Sequence, residues 1–329
     1  MSSLLDIKDL EIRYNTDDGV VYALNKVSLT LNEKETIGLV GETGAGKTTL
    51  ARGVVRLVPQ PPGEIVGGEV YFDGVDLLKI NEAEMRKIRG AEISMIFQDP
   101  MTSLNPVMTV GEQIQEVIET HNHLTKSEAQ KLAGDMLEQV GIPRERFFEY
   151  PHQFSGGMKQ RVIIAIAIAC NPRLLIADEP TTALDVTIQA QVLKLMNELK
   201  ETLHTAMILI THDLGVVAQN CDKVAIIYFG EVVEYGTVHQ VFKDMKHPYT
   251  YGLFQSIPKI HEDTRRLHSI KGLMPDPTIW LEGCKFSTRC PYADDNCRAH
   301  HPELSAMADG HLCRCFKANE LQLKEDSRE

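Results

Sequence analysis

Short apolar runs punctuate the chain. In its second half they alternate with stretches whose apolar positions recur every three or four residues. Residues 4–14 and 23–31 are β-prone, with Asp17-Asp18-Gly19 as the turn between them. Residues 36–40 form a short apolar strand that runs into a glycine-rich turn. Residues 63–74 predict a hairpin element around Glu69-Val70-Tyr71-Phe72, and 93–97 a further buried strand. From Asp99 to Cys170 the pattern is helical. Thr125-Lys-Ser-Glu128 reads as a capping box, Leu132, Met136, Leu137 and Val140 follow at helical spacing, and Gly141 with Pro143 ends the run. After Asn171-Pro172, strands over 174–177, 207–211 and 224–229 flank a helix over 187–203. Apolar strands alternating with helices imply a mostly parallel sheet covered on both faces. Beyond Pro258 the pattern fades into a tail containing Pro and Cys.

Composition bounds the function. The chain has 329 residues, 43% hydrophobic and 24% charged, which is the profile of a folded protein of about two domains. Its 34 Lys and Arg against 46 Asp and Glu leave a formal charge of −12, which argues against unaided nucleic-acid binding and against a polybasic membrane anchor. The longest apolar run, from Val162 to Cys170, falls far short of the roughly 20 residues that span a bilayer. The opening residues lack the charged and long apolar regions of a signal peptide. These features point to a cytosolic chain. If it works at a membrane, another chain supplies the span.

Three segments carry chemistry. Gly41-Glu-Thr-Gly-Ala-Gly46-Lys47-Thr48 matches the phosphate-loop pattern, with an apolar strand before it and a helix opening at Thr49. Backbone N–H groups of such a loop surround phosphates. Lys47 would neutralise the β- and γ-phosphates, and the Thr48 hydroxyl would bind Mg²⁺. Residues 174–177 lead into Asp178-Glu179, an acid pair at the carboxyl end of a buried strand. Asp178 is suited to the magnesium shell and Glu179 to deprotonating the attacking water. Phe154-Ser155-Gly156-Gly157-Met158 opens a long helix, where backbone N–H groups can reach an anion.

Together these motifs resemble the ATP-binding cassette (ABC) transporter ATPases, over about residues 1–258. The resemblance implies an α/β P-loop fold with a parallel-sheet core, an N-terminal antiparallel β subdomain and a helical subdomain over about 99–170. It implies ATP and Mg²⁺ as ligands. Gln98 matches the glutamine that senses the γ-phosphate and joins Thr48 and Asp178 around Mg²⁺. His212 matches the switch histidine and Tyr14 the aromatic that stacks on adenine. Gly41, Gly44, Gly46 and Thr49 complete the phosphate site, and Ala183-Leu184-Asp185 matches the loop across the dimer interface. The family signature is Leu-Ser-Gly-Gly-Gln, so Phe154 and Met158 depart from it. Ser155, Gly156 and Gly157 keep the phosphate contacts, while a side-chain contact from the fifth position is put in doubt.

The resemblance further implies a composite site in which the signature of one subunit covers ATP on another, and separate transmembrane permease subunits contacted by Gln98–Val107 and the helical region to Gly157. Such a chain would sit on the cytoplasmic face of the membrane, with an extracytoplasmic binding protein as an indirect partner and no nucleic acid. The alternative reading is a soluble non-transport ABC ATPase, or an importer ATPase for another substrate such as nickel.

Five of the seven cysteines lie in the tail, as Cys284-x5-Cys290-x6-Cys297 followed by Cys313-x-Cys315. In a cytosolic chain such crowding suggests metal rather than disulfides. The spacing leaves zinc, iron–sulfur and free thiols open, with His300, His301 and His311 as further zinc ligands. Lys246-His247-Pro248-Tyr249-Thr250, Gly283-Cys284 and Arg289-Cys290-Pro291-Tyr292 resemble the C-terminal extension of the dipeptide and oligopeptide importer ATPases, some of which bind a [4Fe-4S] cluster. That resemblance implies Cys284, Cys290, Cys297 and Cys315 as its ligands. In those relatives the last cysteine falls four residues after a histidine, as Cys315 does after His311, so the resemblance prefers Cys315 over Cys313. Residues 259–329 would then form a small metal-binding extension, while Cys170 and Cys221 read as plain buried residues.

Overall fold

The structure, a computed structural model, describes residues 3–182, 184–256, 270–321 and 323. Within them the chain forms two compact units. One is built mainly from Leu31–Thr36 and Phe72–Thr211, the other from Leu5–Thr30, Ile37–Tyr71 and the chain from His212 onward.

The second unit begins with β1 (Leu5–Thr16) and β2 (Gly19–Leu31), joined by the Asp17-Asp18 turn. Then β3 (Thr36–Val40), buried at every residue, leads through the glycine-rich loop into α1 (Lys47–Val54). The next strand, β4 (Gly63–Phe72), lies beside β1 in the order β2-β1-β4.

The other unit starts at β5 (Val75–Asp76) and α2 (Glu82–Ile88), followed by β6 (Ile93–Ile96). Its helical region holds α3 (Pro100–Ser103), α4 (Val110–His121), α5 (Lys126–Gln139) and α6 (Gly156–Ile168), with the 3₁₀ turns Arg144–Phe148 and Pro151–Gln153 before α6. Next come β7 (Leu174–Asp178), α7 (Val186–Leu203) and β8 (Ala206–Ile210). The strands β6, β7 and β8 run parallel, with Ile93 opposite Leu174 and Leu174 opposite Ala206. All five residues of β7 and of β8 are buried, which is why these segments read as continuous apolar runs.

The chain then returns to the second unit through α8 (Leu214–Asn220), β9 (Lys223–Tyr228), β10 (Glu231–Thr237), α9 (Val238–Lys243) and α10 (Pro248–Gln255). In the tail lie α11 (Asp295–Ala299), β11 (Ser305–Ala308) and β12 (His311–Cys313). Here β9 pairs parallel with β3 and antiparallel with β10. The edge of β10 is covered by β12, Tyr235 opposite Leu312, and β12 is paired in turn by β11.

Helix starts follow local chemistry. Asn81, Thr109, Thr125 and Thr237 each accept from the N3 amide while an N3 Glu or Gln side chain returns to the cap, so the capping box expected at Thr125–Glu128 forms and recurs at other helix starts. Some boundaries differ from the sequence pattern. Ile96 ends β6, leaving Phe97 40% exposed. Ile210 ends β8, one residue before Thr211. Cys170 and Cys221 are half-buried rather than buried. The tail holds two strands that its polar composition does not announce. The expected boundary at residue 258 lies outside the described residues.

Buried carboxylates hold the tail in place. Glu234 on β10 is 0% exposed and accepts from the backbone N–H of Lys246 at 2.7 Å and of His247 at 3.0 Å, with His311 Nε2 at 2.8 Å. One turn of strand away, His301 Nε2 meets Glu231 at 2.9 Å. Removing a buried carboxylate with three partners leaves those groups without an acceptor. Glu234→Ala is therefore expected to lower stability by about 3–5 kcal/mol, and limited proteolysis of the variant should cut first around β11 and β12. Denaturant unfolding within 1 kcal/mol of the unaltered chain would contradict this.

Candidate functional site

The phosphate loop is shaped by its glycines. Gly46 is the N-cap of α1 with φ 108, and a Cβ there would lie 2.6 Å from the Ala23 carbonyl oxygen. A Cβ on Gly41 would lie 2.2 Å from the carbonyl oxygen of Ile227. Only glycine lets the loop curl this tightly against β2 and β9. Lys47 is buried, and its ammonium donates to the carbonyls of Gly41 at 2.8 Å and Glu42 at 3.0 Å. Thr48 and Thr49 are half-buried in the first turn of α1. The backbone thus forms a concave cradle at a helix N-terminus, with a lysine folded into it, and these residues fit a bound phosphate chain. Tyr14 stands half-buried on β1. His212 is exposed ahead of Asp213, whose carboxylate caps α8.

In the other unit, Asp178 ends β7 and is 1% exposed. Glu179 follows with φ 47, a left-handed backbone that is costly for a residue with a Cβ. Its N–H donates to Ile210 at 2.9 Å, tying the turn to the end of β8. Its carboxylate accepts from Gln98 Nε2 at 3.1 Å and from Thr182 Oγ1 at 3.0 Å. The structure therefore brings Gln98 and Glu179 together. Thr182 is an additional partner that motif reading missed. The loop residue Ala183 lies outside the described residues, while Asp185 caps α7 through the Ile188 N–H.

Ser155 caps α6 by accepting from the Met158 N–H, so Gly156 and Gly157 occupy its first positions with their amides at the helix start. The departures at Phe154 and Met158 share one neighbour. The Arg146 guanidinium lies 4.2 Å from the Phe154 ring centroid, contacts Met158 Sδ at 3.3 Å and donates to the Gln153 carbonyl at 3.2 Å. Glu149 holds it in turn at 2.5 Å. An unpolar sulfur at the fifth position is thus absorbed by packing on Arg146, a residue the motif does not flag.

In the tail, Cys284, Cys290, Cys297 and Cys315 line one cavity together with His247 and Phe286. Cys313 is fully buried on β12 and does not line that cavity. Burial pushes the Cys284 thiol up to about 12 and the Cys315 thiol up to about 11, and also raises Cys290 and Cys297. Burial holds His247 neutral, its imidazole down at about 3, with Nδ1 accepting from the Tyr249 N–H. Among the described residues, no three His, Cys, Asp or Glu side chains converge to hold a single metal ion. His301 and His311 are instead held by the β10 carboxylates.

The family model described as ABC transporter matches residues 24–182. In three dimensions, the ATP-binding cassette MJ0796, solved as a dimer bound to ADP and Pi, is 28% identical with a TM-score of 0.64, over 71% of this chain and 98% of that one. The cbiO1 subunit of Clostridium perfringens, part of the cbiONQ ABC transporter complex, is 27% identical with a TM-score of 0.63, over 74% of this chain and 91% of that one. The fold and motif order are those of an ABC ATPase. A second family model, for the C-terminal region of oligopeptide/dipeptide transporters, matches residues 233–297. The oligopeptide transport ATP-binding protein OppD of Bacillus subtilis is 48% identical across 96% of this chain and 89% of its own length. The dipeptide transport ATP-binding protein DppD of Escherichia coli is 46% identical across 95% and 96%. The chain belongs to the ABC ATP-binding proteins of the oligopeptide/dipeptide transporter family.

Gly157 tests the signature helix directly, because a Cβ there would lie 2.5 Å from Ile188 Cγ2 on α7. Gly157→Ala should displace the start of α6 and lower ATP turnover about tenfold or more, since misplacement on the ångström scale is costly. Steady-state phosphate release measures it, and an unchanged rate would remove the signature from the reaction.

Proposed function

We propose that this chain is the ATP-hydrolysing subunit of an importer for di- or oligopeptides, docked on the cytoplasmic face of separate membrane subunits. The observation that carries the reading is Glu179, set on a left-handed turn at the end of β7 and hydrogen-bonded by Gln98 and Thr182. A carboxylate fixed in this way can serve as the general base for an attacking water. The full-length similarity to peptide-transport ATP-binding proteins supports the substrate class. Among the described residues no helix is long and apolar enough to cross a membrane; the likeness to transport ATP-binding proteins supports a translocation path in other chains.

Each residue then has a role. The loop amides and Lys47 bind the triphosphate, with Tyr14 against the base. Thr48, Gln98 and Asp178 would hold Mg²⁺, which neutralises phosphate charge when bound. Glu179 removes the water proton, and Thr182 and Gln98 keep its carboxylate aimed. His212 contributes a donor toward the γ-phosphate. Ser155, Gly156 and Gly157 present α6 amides to nucleotide on a second ABC subunit, identical or related, so binding closes a dimer. Val107, 79% exposed, and Phe148, 67% exposed, offer the apolar surface for the membrane subunits. The Val110 N–H donates to the Glu149 carbonyl at 2.9 Å, which places those two segments side by side.

The cysteine cavity fits an iron–sulfur cluster better than a lone ion. A [4Fe-4S] cluster takes one thiolate per iron and spreads its four ligands around a larger body. Cys284, Cys290, Cys297 and Cys315 would be those ligands, and the group would brace the tail rather than carry out redox turnover. Zinc is the competing occupant, which metal analysis separates.

Two measurements test this reading. Glu179→Gln should keep ATP binding, lose hydrolysis by about 10²-fold or more, and accumulate as an ATP-bound dimer on sizing. Hydrolysis at the unaltered rate would remove Glu179 as base. For the tail, Cys315→Ser should lose iron and sulfide from anaerobically purified protein while Cys313→Ser retains them. Because the thiols must shed protons, reconstitution should weaken as pH falls. Equal retention in both variants would overturn the ligand set.

A further inference from the structure

The phosphate loop of this chain carries an acid. Glu42 is its second residue, and a carboxylate in a loop that receives a triphosphate repels the ligand unless something neutralises it. The structure supplies the counter-charge from the far end of the chain. Arg289 Nη1 donates to Glu42 Oε2 at 2.6 Å and Nη2 to Oε1 at 3.0 Å, a two-pronged pair with the arginine side chain only 5% exposed. Arg289 is itself braced. Its Nε donates to the Lys271 carbonyl at 3.2 Å, and Nη1 reaches the Tyr228 hydroxyl at 3.5 Å. The same loop residue is gripped a second time through its backbone, where the Glu42 N–H donates to the Tyr249 hydroxyl at 2.9 Å. Tyr249 is fully buried, packed 4.6 Å from the Tyr228 ring. Lys47, the loop's own cation, donates to the Glu42 carbonyl rather than to its carboxylate.

We propose that Arg289 is a positioning residue for nucleotide, neutralising Glu42 and fixing the phosphate loop so that it accepts a triphosphate. The segment after α10 is then part of the nucleotide-affinity machinery of the cassette. The inference rests on the reading of this chain as an ATP-binding subunit. Removing Arg289 uncovers a negative charge within the loop, a distance over which physiological salt screens little. The penalty must scale with ligand charge, so it is larger for ATP than for ADP. It must also vanish when Glu42 carries no charge, because then nothing is left to neutralise. A merely structural strut predicts the reverse, since Glu42→Gln does not restore a lost guanidinium.

The test is a double-mutant cycle on the full chain, with a fluorescent ATP analogue and its ADP counterpart as probes. In the unaltered background Arg289→Met is expected to weaken ATP-analogue binding about tenfold, ADP-analogue binding less, and the difference should shrink only near molar salt, where the screening length falls to about 3 Å. In the Glu42→Gln background the same Arg289→Met change should alter affinity less than threefold. An unaltered affinity in Arg289→Met overturns the proposal, as does an equal loss in both backgrounds. If Arg289→Met alone does not fold, the comparison of Glu42→Gln with the double variant decides it, a further loss above threefold being the overturning result. If the unaltered chain binds neither probe, the ATPase reading fails instead.

Discussion

The phosphate-loop unit hangs on one buried carboxylate. Glu234, on β10, reaches the turn before α10 through the amides of Lys246 and His247, and the tail through His311 on β12. What those contacts position is the rest of the unit. His247 lines the cysteine cavity and caps α10, and two residues on, Tyr249 sends its hydroxyl to the Glu42 amide. From β12 the chain runs directly into Cys315. The Phe286–Cys290 turn packs on the same aromatic cluster, Phe286 lying 5.4 Å from Tyr249 and 5.2 Å from Tyr228, and carries Arg289 to the loop. A buried charge is tolerated only where its hydrogen bonds are complete. Glu234 therefore ties three segments distant in sequence to one another.

Elements that depend on nearby residues were legible in the sequence. The apolar run of β3 ends where the glycines begin, and Thr125 with Glu128 carries both halves of a capping box, so 36–40 and the start of α5 follow from local chemistry alone. The phosphate loop and Ser155-Gly-Gly were legible because each uses backbone geometry that glycine allows, and the acid pair because its charges end an apolar run. The strands β11 and β12 were not. Ser305–Ala308 alternates no apolar face with a polar one, and its extended form is set by pairing, first of β12 on β10 and then of β11 on β12. Arg146 and Thr182 were missed because a side chain that supports another leaves no spacing signal. Glu42 was the overlooked clue: an acid inside a phosphate-binding loop requires a partner, though sequence does not say which of many arginines supplies it.

The net charge of −12 is also clarified by the structure. A strongly acidic chain can bind a polyanion only where its field is overcome locally. The loop does so with backbone dipoles, glycines that let the amides converge, and a lysine whose charge sits within the cradle. The signature helix α6 has no acid in its first turn, so its N-terminal dipole is not offset from within that turn. Where an acid does stand in the path, at Glu42, it is matched by Arg289. Overall charge thus says little about ligand charge, whereas the pairing of each acid near the loop says much.

In the tail, charge and packing are linked through the thiols. Four thiols facing one buried cavity cannot all ionise there, because each thiolate would be desolvated and would repel the others, and burial holds Cys284 and Cys315 well above the usual thiol range. Without a cation the cavity is therefore neutral and bounded by apolar contacts such as Phe286. A cation bound there would take the place of the protons on the four sulfurs. Cys290 directly follows Arg289, so the wall of this cavity and the partner of Glu42 lie on the same Phe286–Cys290 turn.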